Sequence, residues 1–167
     1  MMMAFKIKKS SKFTFCVQNT CHPQTLSVLK TRAKPLDIKI IFDQPNEDTF
    51  GCLIQNPDTY GEIADLDKLI KQNKQKDILS IIAADIMSLV IMKSPRKFGA
   101  DIVVGSSQRF GVPMGLGGPH AAFFATLDEY KRMMPGRLIG VSVDRTNKRS
   151  YRMALQTREQ HLSLIHI

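Results

Sequence analysis

An apolar run from Ile78 to Ala83, interrupted only by Ser80, limits most strongly how this chain can fold. A short run rich in isoleucine is typical of a strand that is buried on both faces, as in parallel sheets covered by helices. Asp85 follows the run, at the end of the strand where ligand sites of such sheets lie. The run therefore predicts an α/β fold with a candidate binding edge near Asp85.

The rest of the chain alternates between strand and helix patterns. The predicted strands are residues 13–17, 37–42, 50–55, 78–83, 101–104, 120–126 and 138–144. The predicted helical segments are residues 21–34, 66–70, 87–92 and 128–134. In the first of these helices, Pro23 occupies a first-turn position that tolerates proline. This spacing predicts right-handed βαβ units and a mostly parallel sheet with helices on both faces.

The charge is strongly positive, with 24 basic and 15 acidic residues and a formal net charge of +9. Such a balance can attract phosphates, nucleic acid or an acidic protein by long-range steering. Much of the excess is confined to two lysine clusters, at positions 6, 8, 9 and 12 and at positions 68, 71, 74 and 76. No aromatic stacking platform or nucleic-acid motif accompanies them, which favours a solvated surface over nucleic-acid binding.

Cysteine usage and hydropathy exclude several classes of protein. Cys16, Cys21 and Cys52 form no CxxC pair and have no histidine partners at zinc-ligand spacing, so neither a metal site nor a disulfide framework is expected. A reducing compartment fits best. The longest apolar candidate, residues 78–92, is broken by Asp85 and is shorter than the roughly 20 residues that cross a bilayer. We therefore predict a soluble protein.

A glycine-rich segment, GSSQRFGVPMGLGGPH at residues 105–120, holds five glycines in sixteen residues. Backbone N–H groups of such a loop can approach a phosphate closely, since no Cβ intervenes. The segment has neither GxxxxGK[ST] nor the GxGxxG fingerprint, which argues against a nucleotide-binding oxidoreductase domain. The pattern favours a structural turn or a subunit contact, and ligand binding stays open as the alternative.

The same region carries a resemblance to a known family. ADIVVGSSQRFGVPMGLGGPHAAFFAT, YKRMMPGRLIGVSVD and LQTREQH occur here in the order found in the amino-terminal half of glycine cleavage system P-proteins. CHPQT, KTRAK and PDTYG, at residues 21–25, 30–34 and 57–61, resemble that half as well. The similarity covers roughly residues 13–162. Leu116 and Asn56 depart from the family pattern, which has aromatic residues at these positions.

The resemblance implies part of the large domain of an aspartate-aminotransferase-like, fold type I, pyridoxal-phosphate enzyme. The family, a glycine dehydrogenase (decarboxylating), decarboxylates glycine and transfers the aminomethyl group to the lipoyl arm of the H-protein. The implied partners are the missing carboxyl-terminal half, the H-protein and a second copy in a homodimer, with no nucleic acid and no membrane. The implied location is the mitochondrial matrix in a eukaryote and the cytoplasm in a bacterium.

Pyridoxal-phosphate chemistry requires a lysine that holds the cofactor as a Schiff base. In the family this lysine lies in the carboxyl-terminal half, and no lysine occurs here between Lys97 and Lys131. The resemblance therefore implies no catalytic residue and no metal ligand in this chain. Asp85 stands where the fold places an acid facing the pyridine nitrogen, but a structural capping role is favoured. The residues that we expect to line a cleft or contact the partner half are Ser107, Gln108, Arg109, His120 and Arg158.

The resemblance to the P-protein family implies that the chain divides into three segments. Residues 1–12 are expected to be disordered, a targeting segment or a misplaced start, residues 13–162 to form a partial P-protein domain, and residues 163–167 to be an atypical tail at a truncation. The fragment is expected to be inactive alone and to associate through apolar faces that the missing half would cover. The alternative is a non-catalytic α/β module that binds an anionic partner.

Overall fold

The structure is a computed structural model that describes residues 1–8, 12–136 and 138–155. The chain divides into two units, Met1–Tyr130 and Lys131–Ile167. Arg158 and the predicted tail at residues 163–167 lie outside the described residues. No helix in the described part of the chain is long and apolar enough to cross a membrane.

The first unit is built on a six-stranded sheet with the order β2-β1-β3-β4-β5-β6. The first five strands in this order are parallel, and β6 runs antiparallel to β5. The strands are β1 (Thr14–Val17), β2 (Lys39–Phe42), β3 (Thr49–Asn56), β4 (Leu79–Ala84), β5 (Ile102–Ser106) and β6 (Ala122–Thr126). The mostly parallel sheet that the sequence predicts is thus confirmed, and the antiparallel edge strand is an addition.

Helices cover the two faces of this sheet. The α-helices are α1 (Met2–Lys8), α2 (Pro23–Ala33), α3 (Leu66–Gln75) and α4 (Pro95–Phe98). Short 3-10 turns occupy Lys34–Leu36, Ser88–Val90, Gln108–Phe110, Gly115–Gly117 and Asp128–Met133. A cluster on one face joins Cys16, Cys52 and Ile54 of the sheet to Leu66 and Ile70 of α3, all of them buried. Side chains of a strand alternate between faces, so the neighbours of Cys52 lie on the opposite face.

That opposite face explains why the amino terminus is ordered. Ala4 of α1 is fully buried and lies near Gly51, beside the ring of Phe15. Phe5 adds a ring contact with Phe50, with 5.3 Å between the ring centroids. Residues 2–8 thus form a helix whose apolar side chains fill space against the sheet. The expectation that residues 1–12 are disordered, a targeting segment or a misplaced start stays a prediction.

The connection between β2 and β3 contains no helix. Six residues, 43–48, take the chain from the carboxyl end of β2 back to the amino end of β3. The two ends of this loop are fixed, since Asp43 Oδ1 accepts a hydrogen bond from Asn19 N (2.9 Å) and Asp48 Oδ2 accepts one from Thr14 Oγ1 (2.7 Å). The sheet face beneath this short connection stays partly uncovered.

Two predicted helices are tighter than an α-helix. The segments at residues 87–92 and 128–134 contain only the 3-10 turns Ser88–Val90 and Asp128–Met133. Short segments of this kind lack the length that makes an α-helix cooperative.

In its described residues, the second unit contains a hairpin of β7 (Leu138–Val143) and β8 (Arg149–Leu155), paired antiparallel. Asp144 closes the turn, because its Oδ1 accepts hydrogen bonds from Thr146 N (2.7 Å) and Lys148 N (2.9 Å). Ile139, Val141 and Val143 alternate along β7 and are each at least 60% exposed. The sequence predicts β7 but not its partner, since RSYRMAL is too mixed in polarity to indicate a strand.

Candidate functional site

A cavity of about 460 Å³ opens at the carboxyl ends of β3, β4 and β5. This is the edge of a parallel sheet where ligands bind in α/β proteins, and it is where Asp85 was expected to lie. The lining residues are His22, Thr25, Leu53, Gln55, Pro57, Ala83, Ala84, Asp85, Val104, Gly105, Ser106 and Arg109. The cavity therefore combines an apolar floor, supplied by the strands, with polar groups from the loops that follow them.

Asp85 and Arg109 form an ion pair at the rim of this cavity. Asp85 is oriented by the backbone, since its Oδ1 accepts a hydrogen bond from Met87 N (3.0 Å) and its carbonyl accepts one from Ser88 Oγ (2.7 Å). The Arg109 side chain is 64% exposed, so its guanidinium reaches Asp85 from the solvent side. The pair leaves the rim close to neutral and occupies the carboxylate that a ligand cation would otherwise meet.

The floor of the cavity depends on the small side chain of Gly105. A Cβ atom at this position would overlap the backbone oxygen of Ala84 and the ring of Phe123. Phe123 lies on β6, directly opposite Gly105 in the antiparallel pair. Glycine at this position thus allows the edge strand to pack closely on β5.

Gln55 and His22 connect the two loops on the other side of the cavity. Gln55 is 5% exposed, and its Oε1 accepts a hydrogen bond from His22 N (3.0 Å). The Gln55 backbone N donates to Gln18 Oε1 at 3.1 Å. The His22 ring contacts Thr59 Oγ1 through Nδ1 at 3.1 Å. These contacts fix the loops after β1 and β3 against each other, and they orient the ring of His22 at the cavity wall.

Two predicted site residues anchor the glycine-rich segment rather than the cavity. Ser107 Oγ donates to the Ala121 carbonyl at 2.9 Å, and Gln108 Nε2 donates to the Pro119 carbonyl at 3.1 Å. Both bonds join the start of the segment to its end, so they close it into a compact loop. These contacts are consistent with the structural alternative for this segment, because its own side chains hold its backbone together.

Arg109 is thus the only one of the five predicted residues that lines the cavity within the described part of the chain. His120 is exposed and lies outside the lining, and Arg158 lies beyond the described residues. Gln55 was not among the residues predicted to form the site. Its position as a polar residue at the end of the apolar strand β3, next to a turn, is the signal that could have identified it.

Comparison with known proteins identifies relatives along nearly the whole chain. The family model described as glycine cleavage system P-protein matches residues 1–164. A mitochondrial glycine dehydrogenase (decarboxylating) from Flaveria anomala is 52% identical over 97% of this chain. The corresponding protein from Cereibacter sphaeroides is 51% identical over the same share. This chain spans 16% and 17%, respectively, of the lengths of these two relatives.

Solved structures give the same result for the fold. The crystal structure of a glycine decarboxylase (P-protein) in inhibitor-bound form superposes with a TM-score of 0.84 at 30% identity, covering 97% of this chain and 39% of that one. An O-acetylhomoserine (thiol)-lyase from Campylobacter jejuni, which carries a pyridoxyl-lysine phosphate, superposes at 0.60 with 16% identity, covering 80% of this chain and 35% of that one. The fold is therefore that of the pyridoxal-phosphate fold type I enzymes, as expected, and the chain belongs to the glycine cleavage system P-protein family.

Proposed function

We propose that this chain is part of the amino-terminal half of a glycine dehydrogenase (decarboxylating). The complete enzyme decarboxylates glycine with pyridoxal phosphate and passes the aminomethyl group to the lipoyl arm of an H-protein. The observation that carries this proposal is the 52% identity to a glycine dehydrogenase over 97% of the chain. In a eukaryote the complete protein would act in the mitochondrial matrix, in keeping with the plant relatives, which are named mitochondrial. In a bacterium it would act in the cytoplasm.

The cavity at the sheet edge does not fit pyridoxal phosphate as a covalently held cofactor. No lysine is present in its lining, among the residues that the structure describes. Arginine stays protonated at neutral pH, so Arg109 cannot replace lysine as the group that forms an imine. The carboxylate of Asp85 already pairs with Arg109 through Oδ2 and accepts a hydrogen bond from Met87 N through Oδ1.

This mismatch supports a scaffolding role for the chain. We infer that the cofactor lysine is supplied by the carboxyl-terminal half of the complete protein, and that this chain is inactive alone. Ser107 and Gln108 would then keep the glycine-rich loop closed, and Arg109 would keep Asp85 neutralised. The rival reading, an anion-binding module, gains no support from the cavity, where the charge of Arg109 is balanced by Asp85.

The exposed face of the β7–β8 hairpin supports a partner within the same protein. Isolated two-stranded hairpins are marginally stable in water. Ile139, Val141, Val143 and Tyr151 nevertheless expose 60–69% of their surface. We propose that the remaining part of the P-protein covers this apolar face, and that a homodimer of complete chains is the active form.

A complementation assay tests the proposal. The chain is mixed with pyridoxal phosphate and glycine, with and without a second chain that carries the remaining residues of the Cereibacter sphaeroides relative. Imine absorbance and exchange of labelled bicarbonate into glycine are measured, and the intact relative is the positive control. We expect no signal from this chain alone and recovery on mixing. An imine band and exchange from this chain alone would refute the scaffolding role.

The hairpin offers a matched variant for the same assay. Val141→Lys places a charge in the apolar face, whereas Thr146→Lys changes the exposed turn of the same hairpin. Val141→Lys should weaken recovery on mixing, and Thr146→Lys should leave it unchanged. Equal recovery with both variants would show that this face is not covered in the complex.

A further inference from the structure

Two buried cysteines face each other on neighbouring strands. Cys16 on β1 and Cys52 on β3 are register partners in the parallel pair. They are 0% and 7% exposed, respectively, and both belong to the buried cluster beneath α3. Their side chains therefore point to the same face of the sheet at the same level, with no other residue between them.

The spacing of the strands suits a covalent link. Neighbouring strands lie about 4.8 Å apart, within the roughly 4.4–6.8 Å that separates the Cα atoms of disulfide-bonded cysteines. The two thiols lie close enough for each to shift the pKa of the other. The register of the β1–β3 pair shifts between Thr14 and Phe15 and is regular from Phe15 onward, so Cys16 and Cys52 are paired directly.

A cavity gives small molecules access to the pair. A space of about 590 Å³ lies on the α3 side of the sheet, beneath the short β2–β3 connection, and Cys52 is part of its wall. Gln18, Asp43 and Asn73 supply polar groups to the same wall. Water-sized polar reagents can therefore reach the Cys52 thiol and, through it, the contact with Cys16.

The electrostatics of the two thiols differ. The hydrogen bond from Cys52 lowers the pKa of Cys16, because it stabilises the Cys16 thiolate. Donation of that hydrogen bond, together with burial, raises the pKa of Cys52. The pair thus favours a single thiolate, and a thiolate is the reactive form of cysteine.

We propose that Cys16 and Cys52 form an oxidisable dithiol, which closes to an intrachain disulfide when the chain meets hydrogen peroxide. At the cavity wall that Cys52 supplies, the thiolate of the pair attacks one peroxide oxygen, the O–O bond breaks, and a sulfenic acid and a hydroxide ion form. The sulfur of the other cysteine then attacks the oxidised sulfur, the S–O bond breaks, and a second hydroxide leaves. The two thiol protons convert both hydroxides to water. The thiols lose two electrons in total, and the peroxide gains them.

Cys21 provides a control within the same chain. It is 2% exposed, and burial raises the pKa of its thiol to about 11. It lies in the loop after β1 and is absent from the lining of the cavity beside Cys52. Cys21 should therefore remain a free thiol under conditions that oxidise the pair.

The experiment uses the reduced 167-residue chain, treated under native conditions with a small excess of hydrogen peroxide. The product is unfolded and alkylated without reductant, and intact mass and peptide mapping follow. We expect the loss of two of the three alkylatable thiols, a peptide linked through Cys16 and Cys52, and full recovery of thiols with dithiothreitol. Cys21→Ala should behave like the parent chain, whereas Cys16→Ala and Cys52→Ala should give no intrachain link.

Several results would overturn the proposal. These are three alkylated thiols after treatment, a linkage that includes Cys21, or the same mixture of linkages from the native chain and from a urea-unfolded sample. Peptide mapping of the parent chain distinguishes these outcomes without any substitution, so the test stands even if an alanine variant fails to fold.

Discussion

The β3 strand and the β7 strand have similar apolar patterns but opposite surroundings. All eight residues of β3 are buried, because β1 and β4 flank it and helices cover both faces. In β7, by contrast, Ile139, Val141 and Val143 remain largely exposed, and β8 is its single strand partner in the described residues. An apolar pattern thus predicts a strand in both places, but it does not reveal whether the covering surface belongs to the same segment of chain.

The largest expected difference between the two regions concerns packing. Ile82 of β4 is fully buried, so Ile82→Ala should lower the free energy of unfolding by about 2–5 kcal/mol. Val141→Ala on the hairpin should change it by less than about 0.5 kcal/mol. Urea unfolding followed by circular dichroism measures both. Equal effects would mean that Val141 is covered in solution, and a dependence on protein concentration would identify self-association as the cause.

Close packing between β5 and β6 predicts a loss of stability that is smaller than the loss expected for Ile82→Ala. Gly105→Ala should destabilise the first unit by about 1–3 kcal/mol, because the added methyl group overlaps the Ala84 backbone and the Phe123 ring. Gly115→Ala is the matched control, since a Cβ there meets nothing within 4 Å. Thermal unfolding of the two variants compares them directly. A stable Gly105→Ala chain would show that β6 is not packed on β5 as described.

The capping residue at the start of α3 should contribute about 1 kcal/mol to the free energy of unfolding. The Asp65 side chain accepts a hydrogen bond from Lys68 N (3.1 Å) and so caps the helix. Asp65→Ala removes this acceptor and should lower stability by roughly 1 kcal/mol, whereas Asp65→Asn keeps an acceptor and should retain most of it. Chemical unfolding measures both variants. Equal losses of stability in the two variants would mean that the charge of Asp65, and not its capping hydrogen bond, stabilises the helix.

The smallest predicted effect concerns pH. The contributions of two carboxyl groups to the free energy of unfolding should change in opposite directions as the pH rises. Burial raises the pKa of Asp101 in the sheet unit above 3.8, and hydrogen bonds from Lys148 N and Thr146 lower the pKa of Asp144 in the hairpin below it. The stability that Asp144 contributes is present above 3.8 and is lost as the pH falls through its folded pKa. For Asp101 the sign is reversed, so stability falls as the pH rises from 3.8 through its folded pKa.

Carbon-13 NMR of the side-chain carboxyl groups checks this pair. The titration midpoint of Asp101 should lie above that of Asp144. Ser80 N donates a hydrogen bond to Asp101 Oδ2 at 2.8 Å, and the Asp101→Asn variant keeps an acceptor for it. This variant should no longer show the decrease in stability above pH 3.8. The reverse order of midpoints would contradict the burial of Asp101 at the end of the sheet.

The sequence predicted the parallel strands well, because strands that are buried consist mainly of apolar residues. Residues 78–83 nearly coincide with β4, and residues 50–55 lie within β3. The direction of β6 was not predictable from its own residues, since it depends on how the glycine-rich loop returns to the sheet edge. The helical amino terminus was also missed, because its order comes from contacts with distant residues such as Phe50.

The candidate site was predictable in place but not in detail. Asp85 lies at the carboxyl edge of β4, as the pattern of the strand indicated. Its pairing with Arg109, 24 residues away, depends on how β4 and β5 are aligned, and no spacing rule contains that information. Gln55 is similar, since its contact with His22 N arises from two loops that only the sheet order brings together.

The short connection between β2 and β3 also makes this chain convenient to label. Its ends are fixed by Asp43 and Asp48, while Pro45 lies between them in a mostly exposed stretch. Lengthening an exposed loop costs little free energy, about 0.6 kcal/mol for each doubling. An epitope tag or a dye-binding peptide inserted next to Pro45 would therefore leave the strand order intact. The same insert would lie at the cavity whose wall Pro45 and Cys52 share, so it would also test whether that opening is needed for access to Cys52.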